Sequence, residues 1–247
     1  MKHSIQKPRD FINPLLSKRN VIQSDFETFK VELEKLLHVN TSESEEHQKN
    51  SVRDFLVHSF GYTINTKGKI DWAIFCDGKV EVLIEAKRLD NVNEMITQTE
   101  CNRKALHEAV LYFMQERDSG NNALKHIIIL NAFSWFVFDA KEFDRLFWNN
   151  KRIKKIYTDF KSPSLLGDKT KDFYEALSLE LPNLKTNLLD AEILPCAHFD
   201  LKKSQSPKEL LAIYKLLSPE SLLKSFNPND ANRSEERRVG KECLRLC

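Results

Sequence analysis

Apolar side chains recur every three or four residues in the first regular stretch of the chain, which runs from Ser24 to Leu37. This spacing predicts an amphipathic helix, and Ser24 or Asp25 can cap its first turn. The preceding residues, 1–20, carry two prolines and mixed charge without a comparable pattern. We therefore predict an irregular arm followed by a helix.

The next apolar stripe predicts a second helix, with Ser42 or Ser44 as its cap and acidic residues in its first turn. Within this stripe, Glu45 lies nearly two helical turns before Val52, on the same side of the helix. Glu45 is therefore expected to continue the buried face, whereas Glu46 lies about 100° further round the helix.

The pattern then changes to the two-residue alternation that is typical of β-strands. Residues 69–75 and 79–87 alternate in this way, and the Asp77-Gly78 pair between them is a hairpin turn signal. The two segments are therefore predicted to form an antiparallel hairpin. One face of its second strand is expected to be apolar, formed by Val80, Val82, Ile84 and Ala86.

The rest of the core alternates between helical and strand patterns. A long helix is predicted for residues 92–116, a strand buried on both faces for 126–131, a strand for 134–140 and a helix for 141–148. This order predicts an α/β fold with a mixed central sheet flanked by helices. Beyond residue 150, amphipathic helices joined by proline-containing turns predict a helical segment.

Composition narrows the class of protein. The 247 residues are 41% hydrophobic and 30% charged, which is typical of a globular chain. They contain no apolar run long enough to span a membrane and no secretion signal, so we expect a cytoplasmic protein without a membrane partner. The five cysteines form no CxxC pair, and neither a zinc site nor a disulfide framework is expected.

The carboxy-terminal residues 233–247 resemble translated cloning sequence and are predicted to be a non-native tail. Without them, acidic and basic residues are equal in number, so the bulk charge of the chain gives no argument for nucleic-acid binding. Any such argument must come from a local site.

Charged residues at the end of the predicted hairpin form the strongest candidate site. Glu85 and Lys87 share one face of their strand, Asp71 on the neighbouring strand can face the same space, and Glu45 can enter from the preceding helix. Carboxylates packed together repel each other, and a divalent cation relieves that repulsion. Oxygen-only ligands suit Mg²⁺, so the residues predict a magnesium site.

Each of these residues also has a simpler interpretation when it is considered alone. Glu85 and Lys87 are typical of a surface ion pair at the end of a strand, and Glu45 is typical of an acid placed in the first turn of a helix. The combination of an acid, a turn signal and a strand ending in acid-x-Lys is a much narrower pattern, which favours the metal site.

In these residues the chain resembles the PD-(D/E)XK nuclease superfamily, whose signature is matched by Asp71 and by Glu85-Ala86-Lys87, although Ile70 stands where the family usually has proline. The resemblance implies a restriction-endonuclease-like core in which Glu45, Asp71 and Glu85 bind Mg²⁺. Asp71, Glu85 and Lys87 would be catalytic, with Lys87 assisting hydrolysis. Glu46 is the alternative to Glu45 as the acid from the helix.

More of the chain resembles the amino-terminal part of type IIG restriction-modification enzymes, which act on double-stranded DNA. This implies a nuclease domain with a helical arm at 1–150 and a helical connector at 151–232. The family's methyltransferase and target-recognition domains have no counterpart here, so we expect a truncated piece of a longer protein. Asn102, Lys104 and His107 are candidates for supporting the site or binding DNA phosphate, although a buried amide and two solvated side chains explain them equally well.

Two other functions remain open at this stage. The first is a catalytically silent nuclease fold that acts as a scaffold or a DNA-binding module. The second is a repair-type nuclease with the same site outside a restriction system.

Overall fold

A computed structural model describes residues 2–162, 169–186, 190–191, 193–204 and 206–223. The predicted tail at 233–247 lies outside these residues. The strands are β1 (Lys2–Gln6), β2 (Thr63–Lys67), β3 (Ile70–Cys76), β4 (Lys79–Ala86), β5 (His126–Leu130), β6 (Ser134–Asp139), β7 (Lys185–Thr186), β8 (Asp190–Ala191) and β9 (Ile193–Asp200).

The helices alternate with these strands along most of the chain. They are α1 (Pro8–Phe11), α2 (Pro14–Ser17), α3 (Gln23–Leu37), α4 (Glu45–Phe60), α5 (Lys104–Asp118), α6 (Ala140–Phe143), α7 (Lys151–Lys161), α8 (Lys169–Glu180), α9 (Pro207–Leu217) and α10 (Pro219–Leu222). A π-helical turn covers Asp144–Trp148, and a 3-10 turn covers Leu181–Asn183. None of the helices in the described ranges is long and apolar enough to cross a membrane.

Seven of the strands form one mixed sheet in the order β1-β9-β6-β5-β4-β3-β2. β1 runs parallel to β9 and β4 parallel to β5, while the remaining neighbours are antiparallel. One face packs against α5, α7 and α8, and the other packs against α3, α4 and α9. The prediction of an α/β fold with a mixed sheet flanked by helices is therefore confirmed.

The central strand β5 shows why the sheet needs both helical layers. Ile127 and Ile129 are fully buried against the α5 layer, and Ile128 and Leu130 are fully buried against the α3 layer. A strand without a polar face is stable only where both sides are covered. The prediction of a strand buried on both faces is confirmed.

The amino-terminal arm is more regular than predicted. Residues 1–20 include the edge strand β1 and the short helices α1 and α2. β2, which the sequence pattern did not predict, forms the opposite edge of the sheet and pairs with β3.

The predicted hairpin contains a β-bulge that shifts one of its apolar side chains. Ile74 pairs with Val82 but Phe75 pairs with Val80, so Glu81 is the extra residue on β4. A bulge changes which face the following side chains occupy. Val80 therefore packs in the α5 layer, and its predicted place on the opposite face with Val82 is wrong.

The long helix begins about eleven residues later than predicted, at Lys104 rather than near residue 92. In the segment before it, the Thr97 hydroxyl accepts hydrogen bonds from the backbone N–H groups of Thr99, at 3.4 Å, and Glu100, at 3.0 Å. Such local bonds satisfy the backbone in a turn and compete with helix formation.

The sheet continues across the predicted domain boundary at residue 150. β9 lies between β1 and β6, and α9 packs on the α3 layer with Ile213 and Leu217 fully buried. Residues 151–232 therefore contribute a strand and core helices to the same fold, rather than a helical connector alone.

Candidate active site

The β3–β4 hairpin brings Asp71 and Glu85 to the same face of the sheet. The turn residues Asp77 and Gly78 have φ angles of 51° and 73°, which suits a tight hairpin turn. Trp72 pairs with Ile84, so Asp71 and Glu85 are the next residues on the two strands. Ile84 and Ala86 pack in the α3 layer, so Glu85 between them points towards the α5 layer. Asp71 and Glu85 are close enough for the Asp71 charge to act on the Glu85 carboxyl.

Asp71 is held in place by the neighbouring strand and by a lysine. Its Oδ2 accepts a hydrogen bond from the backbone N–H of Ala86 at 2.9 Å. Its Oδ1 accepts one from the Lys49 ammonium at 2.7 Å. These two contacts fix the direction of the carboxylate at the end of the hairpin.

Lys87 lies at the centre of a group of carboxylates. Its ammonium is 2.9 Å from Glu85 Oε1 and 3.6 Å from Glu94 Oε2, and it also donates a hydrogen bond to Glu108. Only 10% of its side chain is exposed. The ammonium therefore offsets the negative charge of three carboxylates, one on β4, one in the loop after it and one on α5.

Burial and the neighbouring charges together set the pKa values of Glu85 and Lys87. Burial, followed by the charge of Asp71, raises the pKa of the Glu85 carboxyl well above its usual range, although Lys87 opposes the rise. Burial alone would lower the pKa of Lys87, but the Glu85 and Glu108 carboxylates outweigh it and raise the pKa. Lys87 is therefore a permanent cation at neutral pH.

Glu45 reaches the site through an ion pair and not through the buried face of α4. Its side chain is 56% exposed, and Gln48 takes the buried position that continues the stripe from Val52. Gln48 belongs there because its amide donates to the carbonyls of Asn40 and Glu43 and accepts from the N–H of Leu89. The prediction that Glu45 is buried is wrong.

Lys49 connects Glu45 to the strand residues of the site. Its ammonium is 2.9 Å from Glu45 Oε1 and 2.7 Å from Asp71 Oδ1. The hydrogen bond from Lys49 is the main reason that the pKa of Glu45 lies below its usual value. Glu46 is exposed, and no contact to the site is described for it among the residues that the structure covers. The geometry favours Glu45 as the helix acid.

Sequence reasoning missed two acids and two tyrosines that surround Lys87. Glu94 and Glu108 contact its ammonium. Tyr112 lies one helical turn after Glu108 and hydrogen-bonds to Tyr174 on α8, and burial followed by the site carboxylates raises the pKa of both phenols. The four-residue spacing of Glu108 and Tyr112 on a helix that packs on β4 was the one available signal.

A family model described as a domain of unknown function, DUF7149, matches residues 6–230. The chain belongs to this family. No curated protein and no solved structure matches it.

Two of the three candidate support residues of this DUF7149 chain, Asn102 and His107, contact each other. Asn102 Oδ1 is 2.7 Å from His107 Nε2, and the Asn102 amide donates to the carbonyl of Ser178 on α8 at 2.9 Å. His107 is buried, so it is not placed to contact DNA phosphate. Lys104 is partly exposed and lies 2.8 Å from Glu94 Oε1.

No three of the described His, Cys, Asp or Glu side chains of the DUF7149 chain are grouped closely enough to hold a metal ion as they stand. Glu45 and Asp71 already direct oxygens within 3 Å of a single positive charge, the Lys49 ammonium. Glu85 is a buried carboxyl group, and the negative charge of Asp71 disfavours its ionisation. A divalent cation with oxygen ligands would compensate the same charges.

Acid is expected to destabilise the DUF7149 chain through His107. Burial lowers the pKa of His107 to about 4, whereas an unfolded histidine titrates near 6.5. The unfolded chain therefore binds a proton first, and stability is lost as the pH falls from 6.5 towards 4. At pH 5 this loss is about 2 kcal/mol.

His107→Gln should remove this component, which denaturant unfolding at pH 5 and pH 7 can measure. The exposed His38 provides a control, since His38→Gln should leave the difference between the two pH values unchanged. An unchanged pH dependence in His107→Gln would contradict the assignment of a buried neutral imidazole.

Proposed function

We propose that this chain is a Mg²⁺-dependent endodeoxyribonuclease with a PD-(D/E)XK-type site. The observation that supports it best is the position of Asp71 and Glu85 side by side on one face of the hairpin, with the Lys87 ammonium 2.9 Å from Glu85. An acid pair next to a permanent cation suits chemistry on a negatively charged phosphodiester.

Glu45, Asp71 and Glu85 would hold the magnesium ion. Bound magnesium supplies Lewis acidity, which stabilises negative charge on phosphate oxygens and makes water a better nucleophile. Asp71 is oriented for this role by the Ala86 N–H. Glu85 contributes a carboxylate that the fold has removed from water.

Lys87 acts as a cation in this proposal. Its raised pKa keeps the amine protonated, so it does not remove a proton from the attacking water. It instead orients a phosphate oxygen and offsets the negative charge that develops there. Glu94 and Glu108 hold the ammonium at the end of β4.

Lys49 must move when Glu45 and Asp71 share a metal ion. Its ammonium stands between the two carboxylates, and two positive charges do not share that position. The Lys49 side chain is partly buried, with 19% of it exposed, and a lysine side chain has enough rotatable bonds to swing towards solvent.

The wider setting proposed is a bacterial type IIG restriction-modification system in the cytoplasm. The substrate would be double-stranded DNA, and the products would carry 5′ phosphate and 3′ hydroxyl ends. Methyltransferase and target-recognition domains would belong to the full-length protein.

A second candidate function is a silent nuclease fold that acts as a scaffold or DNA-binding module. It is favoured by the ion pairs in the site, because Lys49 and Lys87 already compensate Glu45, Asp71 and Glu85. A site balanced in this way is stable without a metal ion and without catalysis.

Cleavage of duplex DNA in Mg²⁺, compared with EDTA, distinguishes the two functions. Asp71→Asn and Lys87→Met should each lower the cleavage rate about 100-fold or more, the typical cost of removing one group that stabilises a transition state. Matched controls lie at the far end of the hairpin, where Asp77→Asn and Lys79→Met should leave the rate unchanged. Undiminished cleavage by both site variants would remove the site assignment, and no cleavage by the parent chain would favour the scaffold.

A further inference from the structure

α7 presents a concentrated positive charge on the described surface. Five of its eleven residues are basic and one is acidic. All five basic side chains are exposed; they are Lys151, Arg152, Lys154, Lys155 and Lys161. The chain up to residue 232 has equal numbers of acidic and basic residues, so this helix is a local concentration of positive charge.

The apolar side of α7 is already used by the fold. Ile153 and Tyr157 are buried in the α5 layer, and Ile156 and Phe160 pack partly against it. An amphipathic helix that binds a membrane needs an exposed apolar face to insert between lipids. Only the charged face of α7 points outward, which favours a hydrophilic polyanion as its partner.

Of the five basic side chains of α7, two form a salt bridge with an acid among the described residues and three do not. Arg152 pairs with Glu180 at 3.0 Å and Lys161 pairs with Asp118 at 2.6 Å. Over the described ranges, Lys151, Lys154 and Lys155 have no carboxylate partner, and Lys154 lies 4.1 Å from the centre of the Trp148 ring.

These lysines lie at the end of α7 that is nearer the candidate active site. Arg152 contacts Glu180 at the end of α8, and the neighbouring Ser178 carbonyl binds Asn102 just before α5 begins. The other end of α7 contacts Asp118, the last residue of α5, whereas Glu108, which contacts Lys87, lies near the beginning of α5. α8, which bears Tyr174, therefore separates the lysines from the site by one helix, a spacing of about 8–10 Å per helix pair.

We propose that the basic face of α7, formed by Lys151, Lys154 and Lys155, binds the phosphate backbone of duplex DNA. This inference rests on the proposed function, since it gives the substrate of the same site a second point of attachment. Duplex DNA carries one charge per about 1.7 Å of its axis, so a duplex in the active site has many phosphates within reach of α7. Backbone contacts of this kind position DNA without reading its sequence.

The test measures the salt dependence of DNA binding by the full chain. A fluorescently labelled duplex is titrated in EDTA, so that cleavage does not interfere, at several salt concentrations. Replacing Lys151, Lys154 and Lys155 together by Gln should reduce the slope of log affinity against log salt by about 2–3, because each lost phosphate contact accounts for about 0.9. At about 0.1 M salt the affinity should fall at least about 10-fold.

The control is a second triple variant with the same change of charge. It replaces Lys18, Lys79 and Lys141, which are exposed and lie outside α7, by Gln. An equal loss of slope in this variant, or an unchanged slope in the α7 variant, would overturn the proposal. Binding of the parent chain to phosphatidylserine vesicles that is lost with the α7 lysines, without any binding to DNA, would also overturn it and assign the face to membranes.

The outcome is independent of the proposed catalytic activity. Cleavage by the parent chain with an unchanged salt slope in the α7 variant would remove the DNA surface and leave the nuclease. A reduced slope without cleavage in Mg²⁺ would leave the DNA surface and favour the scaffold function.

Discussion

Replacing Glu85 by Gln should abolish DNA cleavage and, at the same time, stabilise the protein in the absence of metal. Glu85 is 4% exposed, and burial and the nearby Asp71 raise the pKa of its carboxyl. The charged carboxylate is therefore less favourable in the folded protein than in the unfolded chain. Glutamine has nearly the same shape and removes that charge, whereas the proposed metal ion needs it.

The expected gain in the free energy of unfolding is about 0.5–2 kcal/mol, the range of single stabilising substitutions. Losing an outer-shell partner of a metal ligand typically lowers activity about 10–100-fold. Glu85 is proposed to bind the metal ion itself, so the cleavage rate should fall by more than this. Thermal unfolding in EDTA gives the first quantity, and titration calorimetry with Mg²⁺, together with a cleavage assay, gives the second.

Glu34→Gln is a matched control, because Glu34 is an exposed acid on α3 in a different layer of the fold. It should change neither quantity. A loss of stability in Glu85→Gln would mean that the ion pair with Lys87 outweighs the burial of the carboxylate. Retained cleavage with retained Mg²⁺ binding would show that Glu85 is not a metal ligand.

The local part of the site was predictable from sequence because it depends on short-range geometry. Asp77-Gly78 sets the hairpin turn, and the two-residue period of a strand places Glu85 and Lys87 together. Asp71 then needs only the correct register to lie beside Glu85, and the register observed meets that condition.

The surroundings of Lys87 depend on tertiary packing and were not predictable in the same way. Glu108 arrives from a helix about twenty residues later, and Tyr174 arrives from a helix beyond the expected domain boundary. The position of Glu45 illustrates a related limit. A seven-residue step on a helix identifies a shared side, but hydrogen bonds available to Gln48 decide which polar residue near the helix end is buried.

The boundary predicted at residue 150 followed from a weakening periodicity that has a physical cause. β9 is only eight residues long and contains Pro195, so its alternation is brief and interrupted. Leu194 and Cys196 nevertheless face the α5 layer, and Ala197 and Phe199 face the other. A strand in the interior of a sheet is identified by the neighbouring strands with which it pairs, and a single sequence does not show that pairing.

A chain that ends at residue 150 should therefore fail to fold cooperatively. Without β9, the neighbouring strands β1 and β6 lose their hydrogen-bonded partner. Without α9, the α3 layer loses further apolar cover. Each fully buried apolar side chain contributes about 1.5–3 kcal/mol, and the loss of six, about 9–18 kcal/mol, is as large as the whole net stability of about 5–15 kcal/mol of a typical domain. The side chains concerned include Leu194, Phe199, Leu201, Ile213, Leu216 and Leu217.

Near-ultraviolet circular dichroism and thermal unfolding measure this outcome directly. A chain ending at residue 232 is the control and should unfold at the same temperature as the 247-residue chain, since only the predicted non-native tail is removed. Phe199→Ala in the intact chain gives a graded version of the experiment. Phe199 is 3% exposed and stacks 5.8 Å from Trp135, so its loss should cost about 3–5 kcal/mol. A cooperative thermal transition in the 150-residue chain would show that a nuclease domain is complete without β9, and would restore the predicted boundary.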